Sequence, residues 1–157
     1  MRTVDIGLEL DTVTPMTINQ QFRVYSIYAK YVNIDPASLK TLMDASTNLF
    51  ISDVRERDEY CSGHIPGAIR LSWNSGQFAA QYDSILPDSG NIVLACRTGN
   101  RSLEALNHLW NMQFWAGHDE MVLYNLTGGM QGTGGWSYAV DICRSVSPGI
   151  NLLLMDP

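Results

Sequence analysis

Lysine is scarce in this chain: Lys30 and Lys40 are the only two. Arginine supplies the remaining positive charge, and the balance is acidic, with a formal net charge of -6, so no general nucleic-acid affinity is implied. Cysteine is sparse too. Cys61, Cys96 and Cys143 form no Cys-x-x-Cys pair and no cluster with histidine, so no metal site is expected. Their odd count argues against a disulfide framework and favours a cytoplasmic home; a periplasmic or exported one stays open, because a chain without its export signal would look the same. No apolar run reaches transmembrane length, so no membrane partner is expected. Residues 1–10 carry Asp5 and Glu9 and no apolar block, and do not read as a signal peptide. Internal repeats are absent, and the glycine-rich stretch Gly128–Gly135 is the one biased segment.

What is present suits one globular domain. Apolar residues make up 45% and charged residues 17% of 157 positions, enough to bury a sizeable core. Three parts are expected: an N-terminal extension over 1–30, part strand or flexible; a folded domain over 31–145; and a C-terminal tail over 146–157. Phe22 to Ile34 has strand propensity and reads as one or two strands at the sheet edge.

From Tyr31 onward, strand and helix signals alternate. Tyr31–Ile34 is a short strand. Asp35-Pro36 opens a helix, with Asp35 as N-cap and Pro36 in the first turn. Leu49–Ser52 is a strand, Arg57–Cys61 a helical turn ended by Gly63, and Ala68–Leu71 a strand. Asn74–Tyr82 is a helix, Ile92–Ala95 a strand, Ser102–Asn111 a helix and Met121–Tyr124 the last strand. This alternation predicts an α/β fold: three layers, with a parallel sheet of about five strands covered by helices on both faces.

The most informative stretch is Cys96-Arg97-Thr98-Gly99-Asn100-Arg101-Ser102. It joins the apolar strand ending at Ala95 to the helix that follows. Open α/β sheets carry their chemistry at that edge. N–H groups of the loop and of the first helical turn favour negative charge there, so a thiolate is stabilised without a histidine base. Arg97 and Arg101 add positive charge for an anionic substrate. A lone cysteine is more often a small buried hydrophobe, but that role requires neither a glycine nor two cations beside it.

A second set of motifs makes a family visible. Asp53-Val54-Arg55, then Gly63-His64-Ile65-Pro66-Gly67-Ala68, then the cysteine loop, then Gly128-Gly129-Met130 occur in that order. Together they resemble a single-domain rhodanese-like sulfurtransferase over roughly residues 31 to 140. The resemblance implies covalent sulfur transfer with no cofactor: Cys96 takes sulfane sulfur from a small anionic donor as a persulfide. The sulfur then passes to cyanide or a thiol acceptor, a thiol-bearing protein among the options. Arg97, Thr98, Gly99, Asn100, Arg101 and Ser102 would surround the substrate, with Ser102 capping the helix or donating through its hydroxyl. Asp53 and Arg55 would support the loop. His64 would fix a turn rather than act in catalysis, and Glu59 would lie at the surface or in an ion pair. Trp110, Phe114 and Trp115 would pack the core or its edge. A monomer or a homodimer is expected.

Two departures from the family pattern stand out, both expected on the side that could border the active site. Asn111–Glu120 is long for a helix-to-strand connection, and Gly132-Thr133-Gly134-Gly135 separates the Gly-Gly-Met element from Trp136. Two rival readings share the architecture. A cysteine phosphatase or arsenate reductase closes its loop with an arginine after five intervening residues. Here Ser102 holds that position, and Arg101 comes one residue early. The tighter cradle suits one sulfur better than a tetrahedral oxyanion. The other rival is a non-catalytic interaction module of the same fold.

Overall fold

The computed structural model describes residues 31–144, apart from 46, 115 and 119. The readings made for the N-terminal extension before Tyr31, for Trp115 and for the tail over 146–157 lie outside the described residues.

Nine elements alternate along the described residues: β1 (Val32–Ile34), α1 (Pro36–Asp44), β2 (Leu49–Asp53), α2 (Arg57–Ser62), β3 (Ile69–Arg70), α3 (Gln77–Ile85), β4 (Gly90–Ala95), α4 (Asn100–Asn111) and β5 (Met121–Leu126). The five strands form one sheet in the order β1-β5-β4-β2-β3, and every pairing is parallel. Strand alternation sorts the core into two faces. Ile92, Leu94, Met121 and Leu123 pack with Phe78 of α3 and with Ala105, Leu106 and Leu109 of α4. Val93, Ala95, Ile51 and Leu126 pack with Leu39 of α1 on the other side. The sheet is therefore covered by helices on both faces. Cys96 continues the Ile92–Leu94 alternation and falls among the residues packed against α4.

Local chemistry sets the boundaries. Asp35 accepts the Ser38 N–H at 2.7 Å and caps α1, with Pro36 in the first turn, as its sequence predicts. α3 starts three residues later than the Asn74 expected from sequence, because Trp73–Gly76 closes as a turn and Gly76 takes a positive φ of 83°. α4 starts earlier than Ser102. Gly99, at φ 112°, is its N-cap, and the first α-helical bond runs from the Leu103 N–H to the Gly99 carbonyl at 3.2 Å.

Two further expectations are corrected. Cys61 and Cys143, 82 residues apart, are disulfide-bonded, so the odd count misleads: two cysteines pair and one stays free. The Asn111–Glu120 connection does not border the cysteine. It leads into Met121, which pairs with Gly90 at the amino-terminal edge of the sheet, whereas Cys96 leaves the carboxyl-terminal edge. Parallel strands all begin at one edge, so a helix-to-strand connection arrives opposite the site.

Candidate active site

Cys96 stands at the end of β4, 1% exposed. Its loop is held from below by main chain. The Met130 N–H donates to the Cys96 carbonyl and the Gln131 N–H to the Arg97 carbonyl, both at 2.8 Å. These donors come from the glycine-rich segment after β5, which does border the site, as expected. The approach is so close that a Cβ on Gly129, whose φ is +56°, would overlap the carbonyls of Cys96 and Arg97. That glycine is the only residue type that fits both the backbone conformation and the space.

The sulfur meets two donors from the turn into α4. The Gly99 N–H lies 3.0 Å from Sγ. The Ser102 hydroxyl lies 3.4 Å from Sγ and is itself fully buried. First-turn N–H groups of a helix have no partner four residues back and present positive potential. Ser102 is not the helix cap that its sequence position suggested. It sits in the third position of α4, with its hydroxyl 3.0 Å from the Gly99 carbonyl and 2.6 Å from Asn125 Oδ1.

The two loop arginines differ. Arg97 is exposed, and among the described residues its guanidinium makes no ion pair. Arg101 is clamped on Glu59, Nη2 to Oε1 at 2.6 Å and Nη1 to Oε2 at 2.8 Å, so the ion-pairing expectation for Glu59 describes it well. Arg101 holds the Glu59 carboxyl down at about 2, helped by the Glu56 N–H, while burial opposes the shift. The same bond raises Arg101 above its usual range. Thr98 and Asn100 are exposed at the rim of the loop.

Asp53 and Arg55 form a buried pair next to the loop. Arg55 Nη2 donates to Asp53 Oδ2 at 2.7 Å and to the Gly63 carbonyl at 2.7 Å, and Arg55 Nε donates to Asp53 Oδ1 at 2.9 Å. Asp53 lies opposite Ala95 in the β2–β4 register, and the Val54 N–H donates to the Ala95 carbonyl at 2.9 Å. With both side chains almost fully enclosed, the pair braces the end of β4. His64 is also structural: its Nδ1 is 2.8 Å from the Tyr60 carbonyl, and its ring stacks on Tyr60 at 3.7 Å. Phe114 packs in the core and Trp136 on the α1 face.

Sequence reasoning missed the parts played by Asn125, by the backbone of Met130 and Gln131, and by the Cys61–Cys143 bond. Asn125 reaches Ser102 from β5, the strand next to β4; it lies just before the Gly-Gly-Met element, but an asparagine there does not signal that contact. Met130 and Gln131 contribute only backbone, which side-chain identity does not reveal. The Cys61–Cys143 bond ties α2, the element that carries Glu59, to the chain's later segment, where His64 and Asp141 exchange two backbone bonds at 2.9 Å. Among the described residues no cluster of His, Cys, Asp or Glu is placed to hold a metal, and no helix is long and apolar enough to cross a membrane.

Comparison with known proteins bears on the family and the fold. The chain is 38% identical over 81 residues to "Probable adenylyltransferase/sulfurtransferase MoeZ" of Mycobacterium tuberculosis, a match covering 50% of this chain and 20% of that protein. It is 32% identical over 76 residues to "Putative sulfurtransferase YtwF" of Bacillus subtilis, covering 48% of this chain and 71% of that one. The chain thus spans about a fifth of the length of the first relative and most of the second. The solved structure of a rhodanese-like domain protein from Staphylococcus aureus superimposes with a TM-score of 0.55 at 22% identity, covering 71% of this chain and 97% of that one, a likeness of fold. A family model, the rhodanese-like domain, matches residues 35–134; with the parallel sheet, the cysteine at its carboxyl edge and the glycine-braced loop already in place, this chain belongs to the rhodanese-like domain family.

Proposed function

We propose that the protein is a sulfurtransferase that carries sulfane sulfur as a persulfide on Cys96. The carrying observation is the free Cys96 thiol with the Gly99 N–H at 3.0 Å, in a loop whose arginine falls one residue short of the phosphatase spacing. In the first step the Cys96 thiolate attacks the outer sulfur of an anionic donor such as thiosulfate or a polysulfide. A sulfur–sulfur bond forms at Cys96, the donor's own sulfur–sulfur bond breaks, and sulfite or the shortened polysulfide leaves with the electron pair. In the second step cyanide or a thiolate attacks the terminal sulfur, and the pair returns to Cys96. Both enzyme states are anionic at sulfur, and the N–H groups entering α4 favour that charge in each.

Arg97 supplies an exposed cation for the incoming donor, while Thr98 and Asn100 line the rim. Arg101 stays on Glu59 and fixes the loop from the side. The Cys61–Cys143 bond, of a kind that persists in oxidising compartments, supports the periplasmic or exported alternative. Incubation with thiosulfate or polysulfide should add the mass of one sulfur atom at Cys96, removable by cyanide or a reducing thiol. Aryl phosphate should not turn over. Phosphatase turnover lost in Cys96→Ser, with no persulfide from any donor, would overturn the assignment.

A further inference from the structure

The Ser102 hydroxyl has one proton and three acceptors within reach. Asn125 Oδ1 is at 2.6 Å, the Gly99 carbonyl at 3.0 Å and Cys96 Sγ at 3.4 Å. The shortest contact turns the proton away from the sulfur. Asn125 is held in that orientation by its other end, where Nδ2 donates to Asn33 Oδ1 at 3.3 Å. The two asparagines lie directly opposite each other in the β1–β5 register, which brings their side chains onto one face. Asn125 is 5% exposed, whereas Asn33 is exposed on β1, the outermost strand among the described residues.

We propose that this amide pair sets the direction in which Ser102 donates, making Asn125 and Asn33 positioning residues for the Cys96 nucleophile. An amide turned through half a circle fills the same volume with donor and acceptor exchanged. If both turn, Asn125 Nδ2 donates to Ser102 Oγ, and the hydroxyl proton is free for Sγ. An anionic sulfur is the stronger acceptor than the Gly99 carbonyl. No proton leaves its heavy atom: the hydroxyl rotates and two amides flip. The arrangement with Oδ1 on Ser102 suits the uncharged thiol, and the flipped one suits the thiolate or persulfide. Asn33, free at the surface, turns without repacking the core.

The inference rests on the sulfurtransferase reading only in taking Cys96 as the nucleophile. Its test therefore uses no sulfur donor. The rate of Cys96 alkylation by iodoacetamide is followed by intact mass at one pH, on the full disulfide-bonded chain, at low salt and at about 1 M salt, where charges are screened beyond about 3 Å. Asn33→Asp accepts but cannot donate, so it locks Asn125 Oδ1 onto Ser102. Alkylation should slow roughly three- to tenfold, the scale of one ordinary hydrogen bond's net worth, and the slowing should persist at high salt. Asn33→Ala releases the amide, and the rate should rise by up to about threefold. A merely structural pair predicts the reverse order, because aspartate keeps the bond to Asn125 and alanine loses it. Asn33→Asp reacting as fast as the unmodified chain, or slowed at low salt alone, or the reverse order between the two variants, overturns the proposal. Persulfide loading is measured separately, so failure of sulfur transfer and failure of the amide pair give different results.

Discussion

The two sides of Cys96 are built from different materials. Toward α4 and the glycine segment, the loop is shaped mostly by main chain: the Gly99 N–H at the sulfur, and the Met130 and Gln131 N–H groups beneath, with the Ser102 hydroxyl as the side-chain contact. Toward α2, it is braced by side chains: the Arg101–Glu59 clamp, the Asp53–Arg55 pair and the Cys61–Cys143 bond. The main-chain side presents donors to the sulfur, and its geometry depends on glycines. The side-chain side presents little to the sulfur and secures the loop from a distance. The side-chain supports are therefore separable from the chemistry by mutation.

The largest expected effect falls on the sulfur itself. Cys96→Ala should abolish persulfide formation and thiosulfate turnover while thermal unfolding stays close to that of the parent chain, as mass spectrometry and calorimetry together would report. Next comes the main-chain side. Gly129→Ala puts a Cβ onto two backbone carbonyls at a positive φ. Strain and overlap together should cost about 4 kcal/mol in denaturant unfolding, with activity lost alongside.

Breaking the side-chain side should look different. Cys61→Ser removes a bond spanning 82 residues and should cost about 2–4 kcal/mol of stability. Sulfur transfer by the folded fraction should persist. Loss of transfer with full stability would instead make Cys61 a participant in the chemistry. The arginines sharpen the contrast further. Arg97→Ala should raise the thiosulfate KM several-fold with stability unchanged, because its exposed guanidinium makes no ion pair among the described residues. Arg101→Ala should lower stability by about 1 kcal/mol or less, in keeping with a partly exposed ion pair, and steady-state kinetics beside urea melts would separate the two.

The smallest effect is a pH dependence. Glu59 is depressed from its ordinary 4.5 to about 2, so its ionised form is favoured by folding. That contribution is fully present above about 4.5 and is lost as pH falls toward about 2. Stability of the parent chain should therefore decline more steeply across that window than stability of Arg101→Ala. Parallel slopes in acid titrations of the two would mean the clamp does not form in solution.

Sequence alone determined what depends on neighbouring residues. Asp35-Pro36 starts a helix because a carboxylate caps free N–H groups and proline fits the first turn. The apolar run ending at Ala95 becomes a buried central strand, and Cys96 with Gly99 marks the turn into α4. The helix start was legible only approximately, because Ser102 is as good a cap by type as Gly99, and the positive φ at Gly99 decides it. Tertiary structure decided what depends on distance in space. Glu59 meets Arg101 across 42 positions, Asn125 meets Ser102 across 23, and Cys61 meets Cys143 across 82. None of these pairs carries a local signal, since a carboxylate, an amide or a thiol is equally at home on a surface. The order β1-β5-β4-β2-β3 brings Asn33 beside Asn125, closes the glycine segment under the cysteine loop, and sends Asn111–Glu120 to the opposite edge. Spacing along a chain does not encode those placements; the packing of one parallel sheet between its two helical layers does.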